Sequence, residues 1–286
     1  MTTIRGSAVL LDGQLPDLAS EISARLIMTP IDQLVSTTLD APVAVALKKM
    51  GRTFDQLPVV VDGKLLGLLF RSRISHDASS TTPISSFLTK TSEICSIRAC
   101  EGLIDVIAQL KSHEACVVFD QTTGRFCGLI HFSDLNRQAA RVFCYLWTSA
   151  LEMAMAELLA NIYPCHNSWI DALSQHRQVQ VLGRYEFGRR QNIELSPVEG
   201  LELSDFINIW PRRKELLDVF GMSKSQFRAR ANHLVELRNG SMHPVRSLVS
   251  KHVDVPALCK RLHDVQLLVK CSSSALRKLK KSDQFS

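Results

Sequence analysis

No C-x-x-C pair occurs among the eight cysteines, which fall at positions 95, 100, 116, 127, 144, 165, 259 and 271. That spacing argues against a zinc ribbon or a dithiol motif. Most of them lie inside apolar runs such as "EACVVF" and "RVFCYLW". They read as buried free thiols in a reducing compartment, not as a disulfide framework. Cys165 and His166 follow Pro164 without an obvious metal partner, so no metal site is expected. The chain also lacks a glycine-rich phosphate loop, an H-E-x-x-H pair and a G-x-S-x-G elbow. Those absences exclude, by motif, P-loop nucleotidases, zincin proteases and serine hydrolases. No apolar run reaches the roughly 20 residues that span a bilayer. The N-terminal stretch "MTTIRGSAVLLDGQLPD" has no apolar h-region of a signal peptide. A cytoplasmic protein with no membrane partner is expected.

What is present suits a two-domain globular chain. It has 286 residues, 45% hydrophobic and 22% charged. Charge is uneven. Residues 1–136 carry 12 Lys and Arg against 14 Asp and Glu, a net of −2. Residues 137–286 carry 22 against 14, a net of +8. A near-neutral half joined to a basic half suggests two tasks, the second involving either a polyanion or simply a solvated basic surface.

A shift of 60 positions aligns the first half with itself. Ile27-Met28-Thr29 falls on Phe87-Leu88-Thr89, Leu34 on Ile94, Leu47 on Ile107 and Met50 on Leu110. Each copy continues as an apolar run, a polar turn, a glycine and a second apolar run: "LPVVVDGKLLGLLF", then "ACVVFDQTTGRFCGLIHF". The turns "DGK" and "TTGR" are hairpin signals between runs rich in Val, Leu and Phe. The segments "APVAVALKKM" and "EGLIDVIAQL" space their apolar residues as helices do. Each copy reads strand, helix, strand, strand, helix.

On "LIMTPIDQL", "FDQLPVVVDGKLLGLL" and "GLIHFSDL", residues 24–136 resemble a tandem pair of CBS domains, a Bateman module. The resemblance implies adenine-nucleotide binding (AMP, ADP or ATP) between the copies. The family motif runs Gly, two apolar residues, Ser or Thr, two residues, Asp. Its Asp accepts from both ribose hydroxyls, and its Ser or Thr faces phosphate at a helix start. Copy one, Gly67-Leu68-Leu69-Phe70-Arg71-Ser72-Arg73, has Phe70 and Arg73 at those two places, so its ribose site is expected to be lost. Copy two, Gly128-Leu129-Ile130-His131-Phe132-Ser133-Asp134, keeps the Asp and puts His131 at the Ser/Thr place. Asp134 and His131, with Ala115 and Val117, are the nucleotide-binding candidates that the resemblance implies. Asp134 also reads as a plain N-cap for the helix near Leu135.

The second half reads as mostly helical. Leu135 to Tyr163 contains no glycine or proline and has an amphipathic pattern. "SDFINIWPRRKELLDVFG" suggests two short helices around Pro211, and 179–203 reads as loop. "SKSQFRARANHLVELRN" reads as one helix, capped by Ser223 and stopped at Gly240. "VPALCKRLHDVQLLVKCSSSALRKL" is the last helix, and "RKLKKSDQFS" a basic, unstructured tail.

With "LRNGSMHP" between the last long helices, this half is similar to the HEPN superfamily of all-α domains. The family pattern is Arg, four to six residues, His, matched by Arg238, Asn239 and His243. The resemblance implies metal-independent RNA cleavage or RNA binding at a cleft shared by a homodimer. Histidine titrates near neutrality and can move the proton of a 2′-hydroxyl. Arginine stays charged and grips phosphate in a fork. Asn239 would orient either group. Arg228, Arg230 and Arg246 are candidate RNA-phosphate contacts. Against this, Arg238 suits a helix C-terminus or a pair with Glu236, and His243 before Pro244 suits a turn.

The expected architecture is α+β: an N-terminal CBS pair of two βαββα repeats, then an all-α HEPN-like domain. Its boundaries are an extension at 1–23, repeats at 24–80 and 81–136, helices at 137–275 and a tail at 276–286. The expected function is RNA cleavage or RNA binding under adenine-nucleotide control. The alternatives are a non-catalytic, ligand-responsive dimerisation scaffold, or a transcription regulator using "LLDVFGMSKSQFRARANHL" as a helix-turn-helix.

Overall fold

Asp62 and Gly63 both stand at positive φ, 49° and 73°, as a two-residue hairpin turn requires. The computed structural model describes residues 14–52, 54–75, 77–164, 167–193 and 196–283; Cys165 and His166 lie outside them. The chain divides into two units. One holds residues 22–140 and 249–256. The other holds α1 (Gln14–Ser20) with 141–248 and 257–283.

In the first unit, α2 (Ala24–Ile27), β1 (Thr29–Pro30), α3 (Val43–Met50), β2 (Gln56–Val61) and β3 (Lys64–Phe70) form the first repeat. β4 (Leu88–Lys90), β5 (Ser96–Arg98), α4 (Leu103–Leu110), β6 (Ala115–Phe119) and β7 (Phe126–His131) form the second. β2 and β3 pair around Asp62-Gly63, and β6 and β7 pair around a turn where Asp120 accepts from the Thr122 and Thr123 amides.

The entry strands are exchanged. β1 pairs with β7 in the order β1-β7-β6-β5, and β4 pairs with β3 in the order β2-β3-β4. Glycine makes the exchange possible. A Cβ at Gly67 would lie 2.1 Å from the Thr89 carbonyl, and one at Gly128 2.6 Å from that of Thr29. Backbone approaches backbone where the motif has no side chain. α3 buries Val43, Ala46 and Met50 against Leu57, Val59, Leu69 and Ile84. A second cluster joins Leu68 to Ala115, Val117, Phe126 and Leu129. The closing helix expected of each copy is only a 3₁₀ turn, at Arg71–Arg73 and at Phe132–Asn136.

The second unit is helical: α5 (Gln138–Ile162), α6 (Gln175–Arg190), α7 (Leu203–Ile209), α8 (Lys214–Phe220), α9 (Lys224–Ala231), α10 (Leu234–Met242) and α11 (Val255–Asp283). Its core includes an aromatic row, with Phe206 on Trp210 at 6.2 Å, Trp210 on Phe220 at 5.4 Å and Phe220 on Phe227 at 6.0 Å.

Several expectations change here. The stretch read as loop contains most of α6. The helix expected from Ser223 to Gly240 is two, broken at Asn232-His233, and the second runs through Gly240 to Met242. The tail is helical as far as Asp283. Among the described helices, α5 alone is long and apolar enough to cross a bilayer, and half of its most apolar stretch is buried inside the protein. Arg141, Glu152 and Glu157 punctuate it, so no uninterrupted apolar run stands out. The thiols are also less buried than expected: Cys116 and Cys144 are buried, Cys100 is exposed, and Cys95, Cys127, Cys259 and Cys271 lie between.

Candidate ligand cavities and the Arg238–His243 segment

The exchanged strands set two cavities in the first unit in matching places. One, of about 410 Å³, is lined by Thr29, Leu34, Asp55, His131, Ser133, Asp134 and Arg137 among others. The other, of about 270 Å³, is lined by Thr89, Ile94, Cys95, Glu114, Phe70, Ser72 and Arg73 among others. The sequence repeat places Thr29 with Thr89, Leu34 with Ile94, and Asp134 with Arg73. A third cavity, of about 370 Å³, reaches His131 and Phe132 from Asp55, Arg71 and Glu114.

Asp134 is held in place. Its Oδ2 accepts from the His131 amide at 2.8 Å, and Arg137 Nε lies 2.8 Å from Oδ1. Arg137 also donates to the Met28 carbonyl at 2.8 Å and to Thr29 Oγ1 at 2.6 Å. This bond set ties the 3₁₀ turn to the exchanged strand β1. A carboxylate offers about four acceptor positions. With two of them used in this way, Asp134 keeps lone pairs for a ligand. Burial pushes its carboxyl above the usual carboxylate range, against the pull of the His131 amide and Arg137. Burial also lowers the His131 imidazole, against the nearby charges of Asp134, Asp55 and Glu114. His131 Nδ1 lies 2.7 Å from Ser133 Oγ.

The other cavity is built differently. Arg73 Nη1 donates to Thr89 Oγ1 at 2.8 Å, and its guanidinium lies 5.3 Å from the centre of the Phe70 ring. A cation thus stands where the matching turn presents a carboxylate, and it binds Thr89, the counterpart of the Thr29 that Arg137 holds in the first cavity. This turn brings no carboxylate to the cavity.

Of the four nucleotide-binding candidates, the structure brings Asp134 and His131 together in the larger cavity. Ala115 lines the smaller one, and Val117 is in the core cluster. Sequence reasoning missed Arg137, although it stands three residues after Asp134, the spacing at which a helical turn pairs side chains. It also missed the two threonines, which the repeat alignment itself superposes.

In the second unit, Arg238, Asn239 and His243 lie at the end of α10. Arg238 and Asn239 are half-buried and His243 is exposed. Arg238 Nε stands 3.8 Å from Glu152 Oε1, not beside Glu236, whose carboxylate takes Arg261 at 2.6 Å. Burial raises the Glu152 carboxyl, opposed by the Leu203 amide and the Arg238 charge. The His243 amide closes α10 on the Asn239 carbonyl at 3.0 Å. From α5, buried Arg141 donates to the carbonyls of Gly240 at 2.6 Å, Arg246 at 2.6 Å and His243 at 3.3 Å. Nothing in the sequence pointed to Arg141.

Of the candidate phosphate contacts, Arg228 and Arg246 are exposed. Arg230 is committed to buried Asp264 at 2.8 Å. That carboxylate also meets Lys260 at 2.9 Å and His233 at 3.1 Å. Among the described residues no group of three His, Cys, Asp or Glu side chains is arranged to hold a metal ion.

Residues 20–77 match the family model of the CBS domain. The chain carries a CBS domain. No curated protein matches it. Among solved structures, a CBS domain-containing protein of unknown function from Bacillus anthracis is 12% identical, with 42% of this chain and 94% of that one covered and a TM-score of 0.37. The CBS domain of a bacterial CNNM/CorC-family Mg2+ transporter, solved in complex with ATP, is 14% identical over 46% of this chain and 92% of that one, with a TM-score of 0.37. CBSX2 from Arabidopsis thaliana is 18% identical over 42% and 95%, also with a TM-score of 0.37.

Proposed function

We propose that the first unit is a sensor of an adenine nucleotide, bound singly in the Asp134 cavity, and that the helical unit is the part it regulates. One observation carries this reading: a desolvated carboxylate, fixed by an amide and an arginine, with acceptor capacity left over on a cavity of about 410 Å³. A two-oxygen acceptor suits the paired hydroxyls of ribose. The Arg73 half-site, with a cation at the matching place, predicts one nucleotide per chain. The route to the helices is short in sequence, since Arg137 directly precedes α5. A bound nucleotide biases those helices only if it favours one of their arrangements.

The test is calorimetric titration of AMP, ADP and ATP into the full chain and into Asp134→Ala and Arg73→Asp. Binding of one equivalent, lost in Asp134→Ala and kept in Arg73→Asp, supports the sensor. Equal binding by the Asp134→Ala chain, or none by the wild type, removes it.

The finer reading makes the helical unit an HEPN-like RNA-cleaving or RNA-binding domain that works as a homodimer. It has His243 as acid and base, Arg238 on phosphate and Asn239 orienting them. Its support is the exposed His243 imidazole with exposed Arg246 close by in sequence. The Glu152 partner of Arg238 weighs against it. Cleavage of a mixed RNA pool in EDTA, lost in His243→Ala, would sustain it. No cleavage by the wild type, with or without nucleotide, would leave the dimerisation scaffold.

A further inference from the structure

Cys95 and Cys116 face each other across neighbouring parallel strands. Ser96 is in register with Val117, so the two cysteines sit side by side just before that pair. The Val117 amide donates to the Cys95 carbonyl at 2.9 Å. The Cys116 thiol donates to the Cys95 sulfur at 3.2 Å. Neighbouring strands run about 4.8 Å apart, inside the roughly 4.4–6.8 Å Cα separation that a disulfide spans. The sulfurs need to close only about 1 Å to bond.

The two thiols differ in access. Cys116 is fully buried. Cys95 is half-buried and lines the smaller cavity, beside Arg73 and His113. We propose that Cys95 and Cys116 form a redox-active dithiol, in which Cys95 reacts with a small-molecule disulfide entering that cavity and Cys116 resolves the adduct into an intrachain disulfide.

The thiolate of Cys95 attacks one sulfur of RSSR, forming Cys95–S–S–R and releasing RS⁻. Cys116, whose thiol the hydrogen bond to Cys95 and burial push up, then passes its proton to the released RS⁻ as it attacks the Cys95 sulfur, and a second RS⁻ leaves. The two thiolates take up the two protons lost by the cysteines. Two protein thiols are oxidised and one small disulfide is reduced to two thiols. The hydrogen bond from Cys116, and the charge of His113, lower the Cys95 thiol to about 7 against the opposing effect of burial. That places the nucleophilic form at neutral pH on the accessible member of the pair.

The experiment exposes the full chain to oxidised glutathione, alkylates the remaining thiols after unfolding, and maps peptides by mass. The expected product has lost two alkylatable thiols, those of Cys95 and Cys116. The Cys95 and Cys116 peptides should be joined and carry no glutathione. Cys116→Ser should stop at a glutathione adduct on Cys95, and Cys95→Ser should leave Cys116 unreacted. Glutathione on Cys100 with Cys95 and Cys116 both free for alkylation would overturn the proposal. So would a stable Cys95 adduct in the wild type. The wild-type map decides the matter even where a variant fails to fold.

Discussion

Replacing Arg141 with Met tests whether the segment carrying His243 is held from α5. The guanidinium is buried and makes two short bonds, to the Gly240 and Arg246 carbonyls, and one longer bond to that of His243. Hydrogen bonds to a charged group contribute about 1.5–3 kcal/mol each. The two short ones therefore amount to about 3–6 kcal/mol. Removing the charge also removes its own desolvation penalty, which offsets part of that sum. Methionine fills much of the stem's volume, so the cavity term is small. The net expectation is a loss of about 3 kcal/mol, centred on the segment it clamps. Hydrogen exchange reads this locally. Since about 1.4 kcal/mol is a factor of ten, the His243 and Arg246 amides should exchange roughly a hundredfold faster in the variant. The β6–β7 amides should not change. Unaltered exchange at His243 and Arg246 would refute the clamp. Equal acceleration across both units would show global unfolding instead.

Three further outcomes follow from the same geometry. The raised carboxyl of Asp134 means that its ionised form is disfavoured in the folded chain, so stability falls as pH rises through the window above the ordinary carboxylate range. Asp134→Asn should remove that fall, as followed by thermal melting across pH; nucleotide affinity, which needs the ionised form, should weaken on acidification in the wild type and stay flat in the variant. Gly128→Ala would drive a Cβ against the Thr29 carbonyl and should cost about 1–3 kcal/mol in urea unfolding. An unchanged midpoint would mean that β1 does not pair there. Burial raises the Asp264 carboxyl, but the bonds from Lys260 and Arg230 and the charges around it outweigh this and hold it below the usual range. Its contribution is present above the ordinary carboxylate pKa and lost as pH falls through the depressed one. Asp264→Asn should lower stability at neutral pH by about 1–2 kcal/mol, since its partners Arg230 and Lys260 reach solvent and are rehydrated when the carboxylate is lost, and should narrow the difference at acid pH.

The repeat was legible because hairpins announce themselves. Runs of Val, Leu and Phe with "DGK" and "TTGR" between them fix both strand type and turn. The exchange of β1 and β4 was not legible, since strands of two and three residues carry no alternation to read. α6 escaped because of its residues only Val181 and Gly188 are buried, so it has no apolar stripe. The break between α9 and α10 was hidden for the opposite reason. Phe227, Ala231, Leu234 and Leu237 are all buried and keep helical spacing straight across it. The last helix was read as far as Leu279, and only its final turn to Asp283 went unread, because Lys280, Lys281, Ser282 and Asp283 offer no apolar position that extends the pattern. At the site, Asp134 and His131 could be found through the family motif. Their neighbours Thr29 and Arg137 come from an exchanged strand and a turn, and only the fold brings them there.

The exchange of entry strands also limits how this chain can be cut. A shortened chain that starts after Pro30 would keep the hairpin of its own repeat, yet would strip the outer strand from a sheet about a hundred residues further on. Conversely, a chain ending before Leu88 would leave β3 with a bare edge. Bare edges invite pairing with other chains. The two repeats therefore form a single folding unit: the outer strand of each sheet is supplied by the other repeat, so removing either repeat uncovers an edge in the one that remains.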